Sequence, residues 1–323
     1  MNALRVVAAL AWLACAAAVH AQPREITWYA GQPTGGWYEQ TQGFAALFHE
    51  DAPELVIKAA PGAAYGNVSR VAQGEHAFAW SLPPAITAAY SGQEPYKAAQ
   101  LELRLVMTGL GFVVTQFCAA ADAPFHSVRE LFDGKAPVRI GAPKPGGSDE
   151  WELRRLLDFY HTSYADLEAR GSKVMFGSFA ELVEAYRKGE IDAFLLNNAI
   201  PAGDVDKASQ VRPTRILAMD DDLLAYLARF GLARTLIPQN AYAHIASAGP
   251  VPTAAMANTI VTGATMPDEV VYTFTRTLIE HVAAVRTIHP AFASFDAKDA
   301  VRLADVPLHP GAQKAYREAG WIH

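Results

Sequence analysis

Short apolar runs alternate along the chain with turn-forming stretches and with longer stretches whose apolar residues recur at spacings of three and four. Ile26–Ala30 reads as a short strand and Pro33–Tyr38 as a Gly-rich turn; the stretch that follows carries Trp37, Thr41, Phe44 and Phe48 on one helical face. Leu55–Ala60 reads as the next strand, Pro61–Asn67 as a second Gly-rich turn leading into a helix, and His76–Leu82 as a third strand. The pattern restarts after Phe112. Gly111–Ala120 is an apolar, strand-like run, Pro137–Gly141 a strand, and Pro143–Ser148 a third Gly-rich turn before a helix with Leu153, Leu156, Leu157 and Tyr160 on one face. Ser178 and Glu181 form a capping-box pattern; the helix they open stops at Gly189, and Ile191–Leu196 is again a strand. Pro267, Asp268 and Glu269 open a late helix with Val271, Phe274, Leu278, Val282 and Val285 as its apolar stripe. This rhythm predicts parallel sheet with helices on its faces, in two similar α/β units. In such sheets ligands sit beyond the carboxyl ends of the strands, where turns lead into helix starts.

The first residues follow a different logic. Met1–Arg5 is basic, Val6–Ala18 is apolar and rich in Ala and Leu, and Val19-His20-Ala21 puts small residues at the −3 and −1 positions of a cleavage site after Ala21. This is the order of a secretory signal peptide, and the apolar run falls well short of the roughly 20 residues that span a bilayer. Lipid attachment at Cys15 is the alternative, but a lipobox favours Leu where Trp12 stands. The net charge of −6 comes without a basic run suited to nucleic acid, so no nucleic-acid partner is expected. Of the two cysteines, Cys15 leaves with the leader, so Cys118 has no intrachain partner and reads as an inert buried thiol.

Motifs for catalysis are missing. The sequence contains no His-Glu-x-x-His, no Gly-x-Ser-x-Gly and no phosphate loop ending in Gly-Lys-Ser/Thr, and its ten histidines are scattered. No catalytic residue, metal or cofactor is therefore expected. The Gly-rich turns carry a different chemistry. Helix starts offer unpaired N–H groups and partial positive charge, and glycine lets a ligand approach them. Thr34-Gly35-Gly36, the turn from Gly62 to Asn67, and Gly146-Gly147-Ser148 each stand at such a point; converging, they would hold a carboxylate without a buried arginine. Trp37, Tyr38, Tyr65 and Trp80 would wall its carbon skeleton. Ser81, at the end of the third strand, and Asn198, just after Ile191–Leu196, complete the candidate set. Asp149 and Glu150 have two readings, as favourable charges at a helix start or as partners of a ligand amino group. Lys144 reads as a surface lysine.

With these residues in hand, the chain resembles the TAXI family of solute receptors, the binding subunits of one branch of the TRAP transporters. The landmarks are Thr34-Gly35-Gly36-Trp37-Tyr38, the Gly62-to-Asn67 turn, Ser127-Val128-Arg129-Glu130-Leu131 with Gly134 and Val138–Ala142, Ser178–Phe194 before Pro201, Ile237-Pro238 with Tyr242, and Pro307–Ala312 with Tyr316, Glu318 and Gly320. They run in the family's order from about Ile26 to the C-terminus. Two positions depart from it: Gly146-Gly147-Ser148-Asp149 replaces the usual Gly-Ser-Gly-Thr, and Ser81-Leu82-Pro83-Pro84 stands where an Asp is common. The resemblance implies a two-lobed α/β fold of the type II periplasmic binding-protein class, with crossover hinge segments. Residues 1–21 would be the signal peptide, 22–112 and 251–323 lobe one, and 113–250 lobe two. It further implies a monomeric periplasmic receptor that closes on a small organic acid or amino acid and delivers it to the membrane permease of a TRAP-type transporter. A receptor for another transporter class, a sensor, or an enzyme on the same fold are the alternatives.

Export with cleavage after Ala21 is directly measurable. Intact-mass spectrometry of protein from the periplasm is expected to give a chain beginning at Gln22; a mass that retains Met1–Ala21, or that carries lipid on Cys15, would contradict it.

Overall fold

The computed structural model describes residues 23–322 apart from positions 135, 246, 297, 299 and 302–305. The signal-peptide reading of Met1–Ala21 lies outside the described residues.

The first half of the chain runs β1 (Arg24–Tyr29), α1 (Gly36–Asp51), β2 (Leu55–Ala60), α2 (Ala64–Ala72), β3 (Ala77–Ser81), α3 (Pro83–Ser91) and a long β4 (Leu103–Ala120). The second repeats the rhythm with α4 (Val128–Asp133), β5 (Arg139–Pro143), α5 (Ser148–Phe159), α6 (Tyr164–Ala169), β6 (Lys173–Gly177), α7 (Phe179–Arg187) and β7 (Ala193–Asn198). There follow α8 (Gly203–Val211), β8 (Thr214–Ile216), α9 (Asp221–Ala228), β9 (Ala233–Ile237), a second long strand β10 (Val251–Gly263), α10 (Asp268–Glu280), α11 (Val282–Ile288) and α12 (Pro310–Glu318).

The strands form one curled mixed sheet in the order β2-β1-β3-β10-β4-β7-β5-β6, with β8 added to β4 and β9 to β10. Each end is parallel: β1 pairs with β2 from Arg24↔Leu55 to Tyr29↔Ala60 and with β3, and β5 pairs with β6 and β7. The order β2-β1-β3 at one end matches β6-β5-β7 at the other, so each triplet has its first strand in the middle. The two triplets are joined by β4 and β10, which run antiparallel and pair from Leu103↔Gly263 to Val114↔Ala255. Their register shifts between Ala257 and Thr259, opposite the stretch where Gly109 and Gly111 take φ of 77° and 68°. Gly111 is required there for two reasons. A side chain would be strained at that φ, and its first carbon would come within 2.5 Å of the Ala291 carbonyl oxygen.

This is the α/β architecture expected, with differences: the sheet is mixed where parallel pairing was expected, because β4 and β10 run antiparallel between the triplets, and the late helix stops at Glu280, so Val282 and Val285 stand on α11. The run Gly111–Ala120 is the second half of a strand that starts at Leu103, because the two glycines bend the strand without ending it. The second helix starts at Ala64, so Tyr65 and Asn67 are helical rather than in a turn. Helix stripes pack as their spacing dictates. Phe44, Phe48, Val271, Phe274, Leu278 and Val285 are fully buried around Trp28 and Trp80, whose rings stack 5.0 Å apart. Leu153 and Leu156 are fully buried in the second half, and Ser178 and Glu181 form the capping box as expected.

Asn67 ties the first parallel triplet together. Its Nδ2 donates to the Ala30 and Trp80 carbonyls at 2.9 Å each and to Tyr29 O at 3.3 Å, and its Oδ1 accepts the Ala63 N–H at 3.0 Å. The side chain thus joins the ends of β1 and β3 to the start of α2, and Gly62 packs so closely that an added carbon would fall 2.0 Å from Asn67 Oδ1. Asn67→Ala would leave buried carbonyls unpartnered. A loss of roughly 2–3 kcal/mol in unfolding free energy is expected in urea titration; a change within about 0.5 kcal/mol, the scatter usual for surface substitutions, would rule out this role.

Candidate functional site

The carboxyl ends of both parallel triplets face one cavity of about 270 Å³, near the lower end of the roughly 300–1,000 Å³ usual for small-molecule sites. Beyond β1 its wall is Gly31, Gln32 and the Gly35-Gly36-Trp37 start of α1; beyond β2 it is Gly62, Ala63 and Ala64. The other side carries Pro143–Pro145 and Gly147–Asp149 after β5, Gly177–Phe179 after β6, and Asn197 and Asn198 at the end of β7, with Val113 from β4.

Four helices therefore begin at this wall. In α1, α2 and α5 the residues before the first turn are Gly35, Ala63 and Gly147, and none supplies a side-chain cap. Only α7 among these four is capped by its own side chain, Ser178. Uncapped starts leave N–H groups and partial positive charge directed at the space beyond them. The two sides also touch across the cavity. The Gly36 N–H donates to Asn198 Oδ1 at 3.3 Å, and the Phe179 N–H donates to Gln32 Oε1 at 2.8 Å. Trp37 is held by its Nε1–H, which donates to Asn258 Oδ1 at 2.8 Å, and by stacking at 6.1 Å on Trp80.

Of the residues singled out from the sequence, Gly35, Gly36, Trp37, Gly147, Ser148, Asp149 and Asn198 line the cavity together. The others do not. Thr34 and Gly146 are exposed, and Gly146 sits at φ 103° as the hinge of its turn. Tyr38 is half-buried against the first-half core. Tyr65 turns away from the cavity, 6.1 Å from Tyr96 and 5.9 Å from Trp151. Trp80 is fully buried, with its Nε1–H donated to Thr41 Oγ1 at 2.8 Å; it backs Trp37 rather than forming the wall. Ser81 donates to the Ala64 carbonyl at 3.0 Å and Asn67 to the backbone, so both serve the scaffold. Lys144, read as a surface residue, is exposed but stands on the cavity rim. The wall residues missed were chiefly Gln32, Gly177–Phe179 and Asn197. The signal for most of them was present: Ser178 was legible as a helix start after a strand, and the strand-end rule places such starts at the site.

Behind the β7 side lie two buried carboxyls. Asp149 accepts the Asn197 N–H at 2.6 Å, and Glu152 accepts Thr115 Oγ1–H at 2.7 Å and Asn197 Nδ2 at 2.9 Å. Burial pushes Asp149 up to about 6 despite the Asn197 N–H. Burial likewise pushes Glu152 up to about 7, with the Asp149 charge adding to it and the Thr115 and Asn197 hydrogen bonds opposing. Both carboxyls thus hold protons more tightly folded than unfolded. Their contribution to stability is complete below about pH 4 and is lost as pH rises through about 6 and 7. Glu152→Gln removes one of the two titrations. The drop in unfolding free energy between about pH 5 and about pH 8 is expected to shrink by on the order of 2–3 kcal/mol in matched denaturant titrations. An unchanged drop would show that burial of Glu152 does not govern its proton.

Comparison with solved structures supports the architecture. The binding-protein component of an ABC phosphonate transporter from Pseudomonas aeruginosa matches with a TM-score of 0.56 and 11% identity, over 84% of this chain and 79% of that one. MatC from Rhodopseudomonas palustris with bound malate gives 0.56 and 13%, over 93% and 98%. PhnD1 from Prochlorococcus marinus in complex with methylphosphonate gives 0.55 and 12%, over 93% and 100%. At such identities the likeness speaks for the fold, that of periplasmic binding proteins. A family model spanning residues 29–320 goes further, covering nearly all of the described chain: the protein belongs to the NMT1-like family.

Proposed function

We propose that the protein is a periplasmic solute receptor that captures a small organic acid or amino acid between two lobes and passes it to a membrane transporter without chemical turnover. The observation that carries this reading is the convergence of three uncapped helix starts, those of α1, α2 and α5, on one cavity of metabolite size. The candidate contacts are Gly35, Gly36, Trp37, Gly147, Ser148, Asp149 and Asn198, with Lys144 at the rim. Strand pairing favours placing the passages between lobes inside β4, near Gly109–Phe112, and inside β10, near Ala257–Thr259. On this reading the second passage would fall after the Val251 expected from the sequence, since Val251–Ala255 pairs with β9. Cys118 suits no nucleophilic role, since it is fully buried and burial pushes its thiol up.

The TAXI landmarks favour an ion-coupled TRAP-type permease as the partner, and the signal-peptide pattern favours the periplasm. Among the described residues no helix is long and apolar enough to cross a membrane. The fold likeness to a component of an ABC phosphonate transporter favours a second reading, an ABC-type partner. Uptake in reconstituted vesicles driven by an ion gradient, or by ATP, separates the two.

Gly147 provides the test of the site. Its φ of −103° suits any residue, and an added first carbon would meet nothing nearer than Asp149 Oδ2 at 3.4 Å, so the backbone there tolerates a side chain. Gly147→Val would place its methyls in the cavity. Calorimetry of purified protein against amino acids, dicarboxylates and phosphonates is expected to find a ligand, and the variant to bind it about ten to a hundredfold more weakly, the equivalent of one charge-assisted hydrogen bond. Normal binding by a folded Gly147→Val protein would remove this turn from the site.

A further inference from the structure

The cavity wall is chemically two-sided. The start of α2 has no side-chain cap and no acidic residue in its first turn, which makes it the clearest seat for an anion. The start of α5 is different. Asp149 and Glu150 occupy its first turn, so its partial positive charge already faces carboxyl groups of the chain.

Next to those groups stands Asn197. Its Nδ2 donates to Glu152 Oε2 at 2.9 Å, and Glu152 is itself fixed by Thr115 Oγ1 at 2.7 Å and 2.9 Å. Ionised Glu152 thereby orients the amide: an acceptor-only carboxylate draws the nitrogen toward it, which leaves Oδ1 as the free end. Asn197 is only 7% exposed and lines the cavity, yet Oδ1 has no hydrogen-bond partner in the protein. Asp149, also 7% exposed and on the cavity wall, gives one oxygen to the Asn197 N–H, and its Oδ2 lies toward Gly147. Buried acceptors without donors are unfavourable. Asn197 Oδ1 is such an acceptor, and the Asp149 carboxyl, though it already takes hydrogen bonds from the Asn197 N–H, its own N–H and Ser148, stands on the same wall; together they indicate what should stand there.

We propose that the ligand carries a nitrogen donor, an amino or ammonium group, set against Asn197 Oδ1 and Asp149, together with an anionic group at the helix starts of the first half. The inference rests on the solute-capture reading above and narrows it to amino acids and amino-substituted phosphonates or sulfonates. An ammonium has three hydrogens and serves both acceptors at once, whereas a hydroxyl has one. A second carboxylate, or a methyl group, would offer these acceptors nothing. The burial that raises Asp149 to about 6 is consistent with this, since a cation beside it would restore the ionised form.

Matched pairs differing only in the nitrogen test the proposal: glutamate against glutarate, γ-aminobutyrate against butyrate, 2-aminoethylphosphonate against ethylphosphonate, and taurine against ethanesulfonate. Each is titrated by calorimetry into mature protein freed of carried-over ligand by unfolding and refolding. In every pair that binds, the nitrogen-bearing member is expected to bind about ten to a hundredfold more tightly. Asp149→Asn is expected to narrow that gap; the wild-type comparison stands without this variant should it not fold. Equal or tighter binding of the nitrogen-free members would overturn the inference and leave solute capture intact, as would a gap unchanged in a folded Asp149→Asn protein. Refolded protein that binds no member of any pair at millimolar concentration would remove both.

Discussion

The pairing of β4 with β10 is the constraint on which the rest of the structure depends. Each strand belongs to both ends of the sheet. One part of β4 faces Thr259–Gly263 of β10, and its far part extends to β7 and β8. One part of β10 lies beside β3 and the other beside β9. The two parallel triplets are thus held in one hydrogen-bonded sheet rather than tethered by a loop. Because both triplets point their carboxyl ends at the same space, the strand-end rule acts on that space twice.

What fills the convergence is mostly main chain. The protein already supplies acceptors to two of the helix starts: Asn198 reaches the Gly36 N–H from the opposite wall, and Gln32 reaches the Phe179 N–H in the other direction. Both are neutral amide oxygens, weaker acceptors than a carboxylate or phosphonate oxygen. An anion arriving at α1 would compete with a partner that the chain can surrender. Further out, the Tyr65–Trp151 contact and the Arg154 ion pair with Glu94 join α5 to the elements around α2 and α3. Glu94 is largely exposed, so that ion pair adds little stability, and the buried aromatic contact is the stronger tie.

The layout of alternating elements was legible in the sequence because it rests on local periodicity. Helix stripes such as Val271, Phe274 and Leu278, and the Ser178–Glu181 capping box, are readable without knowledge of the rest of the chain. The long strand was not, because Gly109 and Gly111 look like punctuation until one sees that they bend a continuous strand. The site was legible in part. Glycines beside helix starts marked Gly35, Gly36 and Gly147 correctly as wall positions. Aromatics near turns were poor guides, because the direction of a side chain depends on tertiary packing: Trp37 faces the cavity, whereas Trp80 and Tyr65 face the core and a neighbouring helix. Asn197 carried no local signal. Its significance comes from Glu152, 45 residues earlier in the chain, which sets the orientation of its amide.

The uncapped helix starts have a consequence for how this protein would respond to mutation over time. A backbone N–H is present whatever side chain its residue carries, proline excepted, so such groups outlast most substitutions except those that, like Gly147→Val, would block the approach to them. If the proposed anion seat is right, side chains around it, such as Lys144 at the rim or Asp149 on the wall, could drift and change which molecule is preferred while the seat itself persisted. The residues least free to drift are those that hold the seat in place, Asn67 and Gly62 above all, although neither need ever touch what is bound. In such a chain, invariance would mark the frame, and variation would mark the choice of cargo.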